Sequence, residues 1–373
     1  ASGVAGAAAG AAAQQAFGNM AWPGDQIGRP FQPIVALLGN SSATGAAGAG
    51  ASGAAAPSAG STTLPQIQQL IGSVFGTIDS IASAPDAGAA SLQYVSKRAS
   101  SQTQDALSQL RSQSATLPSP YGSILSDIAT QSWSVLIGLA YQNVNANWQQ
   151  QVIPSCNSLL DNRFPITNST NEVTLTDFTN MFRQGGTIDQ FYTTYVQPFV
   201  KQQGSQLVAA SFDGQTMGFS DQTLATFQRA AEIRNAFFGG GTTLGVKFSI
   251  TPSFLSPDAL RSVFTLDGTS ITYRHGPPRT TDLTWPNRGD ASTASVIITM
   301  VEGGTVKEER TGAWALFRLL YTTGMSRTGA SDQYTFSVSN KSGAKADYTV
   351  QASSVVNPLA PGLIQGFQCP GQL

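Results

Sequence analysis

The chain has 373 residues, with 20 Lys+Arg against 21 Asp+Glu, a formal net charge of −1, and only 11% charged side chains. A near-neutral chain without a dense basic stripe suits neither nucleic acid nor electrostatic docking on a membrane, so no nucleic-acid partner is expected. A single histidine excludes HExxH and three-histidine zinc sites, and two cysteines without CxxC spacing exclude a cysteine-only zinc site; no cofactor is expected.

The length allows two or three domains. The first residue is not Met, the start lacks a charged region followed by an apolar one, and no run of about 18 apolar residues suggests a membrane helix. The chain therefore reads as an internal or C-terminal fragment of a longer protein. Its polarity comes from Ser, Thr, Gln and Asn rather than from charge, a composition common in exported bacterial proteins.

In chain order, residues 1–61 form an Ala/Gly-rich segment. It holds a short apolar anchor, "RPFQPIVALLG", and a linker from Asn40 to Ser61 whose glycine content makes ordering expensive. From Thr62, Ile67, Leu70, Ile71, Val74, Phe75, Ile78 and Ile81 recur at helical spacing, with Pro65 near the first turn. A second helix carries Trp133, Leu136, Ile137, Ala140, Tyr141, Val144 and Trp148, an aromatic stripe read as packing core. "TIDQFYTTYVQPFV" continues the pattern with Thr187 as N-cap, and "SDQTLATFQRAAEIRNAFF" opens with Ser220 as N-cap. Residues 62–241 are accordingly expected as a helical domain that ends in Gly239, Gly240 and Gly241, read as a hinge.

Beyond the glycines the period changes to alternation, as in Val246, Phe248 and Ile250. Hairpins are predicted at Asp267-Gly268, Gly303-Gly304 and Ser342-Gly343, so residues 242–373 are expected as an antiparallel β-sandwich and the fold class as α+β. "GAWALFRLL" interrupts the strands. Trp314, Phe317 and Leu320 within it are expected to be buried in a short helix or turn that closes the sandwich or seats it on the helical domain. Cys156 and Cys369 are either two buried thiols or one long-range disulfide.

No catalytic constellation stands out, and the chain is read as no enzyme. There is no GxSxG, and His275 falls in a turn after a strand. The glycine triplet follows a helix and precedes a strand, the reverse of a phosphate loop. Asp177, Asp189, Asp213 and Asp221 fit cap or turn positions, while Glu302, Glu308 and Glu309 flank a hairpin as a solvated edge. A cell-wall glycan hydrolase would need two carboxylates facing each other across a cleft. A carbohydrate-binding module would need exposed aromatics, for which Tyr273, Tyr334, Phe336 and Tyr348 are available.

Several ordered blocks resemble one known family. These are "RFPITNSTNEVTLTDFTNMFRQGGTIDQFYTTYVQPFV", with Leu175, Asp177, Phe178, Phe182, Gly185, Gly186, Asp189 and Phe191 in an L-x-D-F…F-x-x-G-G-x-x-D-x-F pattern, then "FQRAAEIRNAFF", "DGTSITYRHGPP" with "LTWP", and "GAWALFRLL". They are similar to the C-terminal periplasmic region of the IcmF (TssM) family, inner-membrane scaffolds of the bacterial type VI secretion apparatus. Ile166 and Ala313 stand where the family often has Phe and Pro. The resemblance implies a periplasmic, non-enzymatic scaffold that binds the outer-membrane lipoprotein TssJ and other copies of itself, with TssL contacted through regions outside this chain. The lipoprotein is expected on the sandwich, at loops that include His275, Gly276, Pro277, Pro278 and Arg279, and Arg327 and Asp332.

Overall fold

The computed structural model describes residues 63–100, 104–117, 119–160, 162–328, 333–341, 343–354 and 356–373. The N-terminal segment 1–61 with its apolar anchor and linker, Ser342 and Asp332 lie outside the described residues. The chain divides into two compact units, residues 1–146 with 209–218, and residues 147–208 with 219–373. The fold is α+β, helices first and antiparallel sheets after.

In the first unit, α1 (Thr63–Ala82), α2 (Ala87–Ser100), α3 (Ala106–Ser114) and the long α4 (Tyr121–Gln151) form the helical part; the division between units falls within α4. Ile67, Val74, Ile78 and Ile81 of α1 are buried, at the spacing that gave the helix its apolar face. Asp105 caps α3 by accepting from the Ser108 amide. Residues 209–218 join this unit as a finger whose tip, Asp213-Gly214, has positive φ at both residues, as a two-residue hairpin turn requires. Trp133 Nε1 donates to the Phe212 carbonyl at 3.0 Å. Arg111 reaches the Asp213 carboxylate at 3.0 Å, and Arg98, lying over the Trp133 ring at 4.4 Å, pairs with the same carboxylate.

The second unit begins with the last turn of α4 and continues through α5 (Ile153–Leu160), α6 (Leu175–Phe182) and α7 (Thr187–Phe191). One π turn and one 3₁₀ turn follow α7, leading to a hairpin of β1 (Val200–Gln203) and β2 (Gln206–Ala209), and then comes α8 (Asp221–Phe238). Ser220 caps α8 through the Thr223 amide. The cap of α7 is Gly186 rather than the expected Thr187, which is the first helical residue. Instead, the Asp189 carboxylate accepts from the Gly185 amide at 2.8 Å and serves the exposed N–H groups there.

The strands form a sandwich. One sheet has the order β6-β3-β11-β10-β9, with β3 Val246–Leu255, β6 Thr281–Trp285, β9 Met325–Arg327, β10 Gln333–Ser339 and β11 Lys345–Ala352. The other has the order β5-β4-β7-β8, with β4 Ala259–Leu266, β5 Thr269–Tyr273, β7 Thr293–Met300 and β8 Thr305–Thr311. All pairs in these two sheets are antiparallel, and the Leu266↔Thr269 register around Asp267 (φ 51) and Gly268 (φ 88) is the expected primed turn. Alternation puts Phe248, Ile250, Phe264, Val296, Ile298, Phe336, Val338, Tyr348 and Val350 between the sheets, each at most 1% exposed.

Candidate interaction surfaces

The segment 312–320 explains itself once packed. Helix α9 (Ala315–Thr323) lies between β8 and β9 in sequence, and Ala315, Leu316, Phe317, Leu319 and Leu320 are fully buried. Trp314, just before it, is 0% exposed; its ring sits 4.9 Å from Trp285, 5.1 Å from Phe178 and 5.2 Å from Phe317. Phe237 of α8 stacks on Phe317 at 5.8 Å. One aromatic core is thereby shared by α6, α8, β6 and α9, which is why helices and sandwich form a single unit.

Polar bonds fix the plug in register. Trp314 Nε1 donates to the Val173 carbonyl at 2.7 Å, and Trp285 Nε1 to the Ala313 carbonyl at 3.2 Å. Glu172 receives the Trp314 amide at 3.3 Å and Arg318 Nε at 2.6 Å. The same guanidinium donates to the carbonyls of Ser169 and Thr170 and lies 4.2 Å over the Phe164 ring. Gly312 is required here: its φ is 110°, and a Cβ would come within 2.6 Å of the Glu172 carboxylate. Arg318, the only charge in the segment, thus ties it to the "RFPITNSTNE" loop.

The C-terminal stretch is held to the same helices. Cys156 and Cys369 are joined in a disulfide with Cα atoms 6.4 Å apart. Trp148 Nε1 donates to the Pro370 carbonyl at 2.8 Å, and Arg229 of α8 donates to the carbonyls of Gly362, Leu363, Gln365 and Gly366. Arg229 was not singled out in the sequence. It sits in the recognised "FQRAAEIRNAFF" block, but its partners are backbone carbonyls more than a hundred residues away, which no local pattern encodes.

The expected docking residues are scattered. His275 to Arg279 are exposed in the β5–β6 connection, where His275 has φ 59 and its Nε2 lies 2.7 Å from the Ala259 carbonyl. Arg327 is exposed in β9. Since β6 and β9 are opposite edges of the five-stranded sheet, the fold does not gather these two groups into one patch. Gly239 (φ 56) terminates α8 in the left-handed region and Gly240 (φ 78) continues the turn. The Gly241 carbonyl accepts from Gln184 N, and Gly245 N donates to the Phe237 carbonyl. Both flanks of the triplet lie in the second unit.

Candidate chemical sites stay dispersed. Asp177, Asp189 and Asp221 occupy first helical turns, with Asp189 paired to Arg234, and Asp213 sits on the finger. Glu308 and Glu309 pair with Arg310 and Lys307 along edge strand β8. Phe336 and Tyr348 face inward and Tyr273 and Tyr334 are half-buried, so the strand aromatics make no exposed row. A cavity of about 370 Å³ lies among α7, β1, β2 and α8, with Tyr192, Glu232 and Arg234 in its wall; burial raises the Tyr192 pKa above its usual 10.0. Among the described residues no cluster of His, Cys, Asp or Glu could hold a metal ion, and no helix is long and apolar enough to cross a membrane.

Helices and an antiparallel sandwich locked by a buried plug, with Arg318 and Arg229 clamping distant segments, define a two-part α+β module. Residues 140–243 match the Type VI secretion protein IcmF helical domain and residues 248–354 the Type VI secretion protein IcmF C2-like domain. The Type VI secretion system component TssM1 of Pseudomonas aeruginosa is 30% identical over 253 residues, which is 67% of this chain and 23% of that protein, so the chain spans under a quarter of its relative. A solved structure described as a type VI secretion system membrane core complex covers 92% of this chain, and the chain covers 69% of it, with TM-score 0.72 and 20% identity. The TssM C-terminal domain from EAEC aligns over 62% of this chain and 98% of its own, with TM-score 0.56 and 22% identity. The chain belongs to the IcmF (TssM) family.

Proposed function

We propose that this chain is a scaffold region of a type VI secretion envelope complex, working in the periplasm through protein-protein contacts and not as an enzyme. The observation that carries the reading is family membership joined to this architecture, in which the charged side chains of the shared core are spent on clamps such as Arg318 to Glu172 and Arg229 to the C-terminal carbonyls. The outer-membrane lipoprotein TssJ docks on the sandwich loops, with the exposed stretch His275 to Arg279 as first choice, because it is an exposed connection leading into edge strand β6. Other copies of the same protein pack against the helical part, and TssL is met by regions outside this chain.

The test uses the whole chain, since the sandwich shares its core with the helices. Calorimetry with the purified lipoprotein should give binding that falls when Gly276 to Arg279 are replaced by Ser-Gly residues, and falls less when Arg327 is changed to Ala. Unaltered affinity in both variants would place the lipoprotein elsewhere. Retained affinity in the loop variant together with loss on surface changes in α1 or α2 would move the site to the helices.

A further inference from the structure

The second unit leaves three large hydrophobic side chains exposed among its described residues, and the fold puts all three at one end. Phe254 (43% exposed) is near the end of β3, Leu260 (54%) is at the start of β4, and Val301 (63%) opens the β7–β8 turn. Val301 N donates to the Asp258 carbonyl at 2.9 Å, Ala259 pairs with Met300, and Ser256 N donates to the Lys345 carbonyl. These contacts bring the β3–β4, β7–β8 and β10–β11 turns side by side, and the His275 contact with Ala259 adds the start of the β5–β6 connection.

Phe254 has the Lys345 ammonium 5.4 Å over its ring, but no such contact among the described residues accounts for an apolar side chain at Leu260 or Val301. Val301 stands in a tight turn before Gly303 and Gly304, where a polar residue would satisfy the backbone equally well. The same end carries Arg261, Arg274, Arg279 and Lys341, all exposed and none in an ion pair among the described residues, against the exposed carboxylates Asp258 and Glu302. Lys345 is neutralised by Asp347 at 3.0 Å. In a chain of net charge −1 the fold has therefore collected a local surplus of free cations around exposed apolar side chains.

We propose that this end of the sandwich docks on an anionic lipid surface, with Phe254, Leu260 and Val301 entering the headgroup boundary and the four cations facing lipid phosphates. Apolar groups rimmed by basic ones are the combination that holds a protein at a bilayer interface. Charge favours lipid over other partners: among the described residues, this crown of two strand ends and one turn sets three exposed apolar side chains among four unpaired cations and only two exposed carboxylates, which matches an anionic bilayer surface. A fluid bilayer adapts to such a crown. Of the side chains that meet lipid, only Arg279 is shared with the proposed lipoprotein stretch His275 to Arg279, and the five residues changed in the test, Phe254, Leu260, Val301, Arg261 and Arg274, all lie outside that stretch.

The experiment is co-sedimentation of the whole chain with vesicles of phosphatidylcholine plus phosphatidylglycerol, and with phosphatidylcholine alone. Binding to the anionic vesicles is expected, weakening as salt is raised, with little binding to the neutral ones. The triple change Phe254→Ser, Leu260→Ser, Val301→Ser should lower the partition by about tenfold or more, since single apolar insertions contribute only marginal affinity. Arg261→Gln with Arg274→Gln should remove most of the preference for anionic lipid. Circular dichroism guards against misfolding, and all five positions are solvent-exposed. Absence of binding by the folded wild type, or binding unaffected by the triple change, overturns the proposal. So does concentration-dependent self-association that the triple change abolishes while lipid binding is nil, which would make the crown an interface between copies.

Discussion

Removing the Trp314 side chain is the most direct challenge to the idea that the plug unites helices and sandwich. The indole is 0% exposed and packed against Trp285, Phe178 and Phe317, so Trp314→Ala empties a large site in a stiff aromatic core, costing about 3 to 5 kcal/mol. The Val173 carbonyl also loses its 2.7 Å donor, and a buried acceptor left unpaired adds about 1 to 3 kcal/mol. Partial collapse offsets some of this, leaving a total of about 4 to 6 kcal/mol, or roughly 10 to 20 °C in melting temperature for a unit of this size. Trp314→Phe separates the two contributions: it keeps most of the ring contacts and loses only the N–H bond. The assay is thermal unfolding by calorimetry, paired with lipoprotein binding at low temperature. A Trp314→Ala protein that melts within about 2 °C of the wild type, well short of the cost of an emptied core, would refute the packing argument. Loss of partner binding at unchanged stability would show the segment to be an interface instead.

Reducing the Cys156–Cys369 bond, or changing both cysteines to Ser, should destabilise the second unit; with a sequence separation of 213 the chain-entropy limit is about 5 kcal/mol, read as the shift in denaturant midpoint with and without reductant. An unchanged midpoint would mean the bond is absent in the protein or carries no constraint. Replacing Gly239, Gly240 and Gly241 by Ala should cost about 2 to 4 kcal/mol, because Gly239 and Gly240 hold left-handed backbone. The small-angle scattering profile should stay the same, whereas an altered profile with both parts folded would support a hinge at the triplet. The buried Tyr348 hydroxyl is pushed up from 10.0 to about 12 by desolvation, so the folded state keeps a proton that the unfolded state has given up. Its stabilising contribution is complete below pH 10 and drains away between there and about pH 12. Tyrosinate absorbance followed with circular dichroism should show Tyr348 ionising only as the sandwich opens, and Tyr348→Phe should make that step shallower.

Much of this fold was legible because it is written in local period. The change from helical spacing to alternation at Gly239–Gly241 marks where α8 ends and the sheets begin, and Asp267-Gly268 names its own turn. The burial of Trp314, Phe317 and Leu320 also follows from a run too apolar for a loop. What escaped is what depends on distance along the chain. The β1–β2 hairpin hides in Gln- and Ser-rich sequence with neither strong alternation nor apolar weight. The Asp213 finger looks like any Asp-Gly turn until Arg98 and Arg111 are found beside it, from more than a hundred residues upstream. The crown of Phe254, Leu260 and Val301 is invisible for the same reason. Each residue is ordinary in its own strand or turn, and only the strand order makes them neighbours.

The bond between Cys156 and Cys369 also sets how the second unit would carry tension. A pull entering the chain just before Cys156 and leaving just after Cys369 runs through two side chains and one covalent bond, so the helices and the whole sandwich between them hang as a slack loop beside the stretched line. The sheets would then feel almost no force, and their hydrogen bonds would not be sheared. A pull applied instead at the crown or at the β5–β6 connection enters inside the loop and must be resisted by strand pairing and by the Trp314 plug. With the cysteines reduced, the first kind of pull becomes the second.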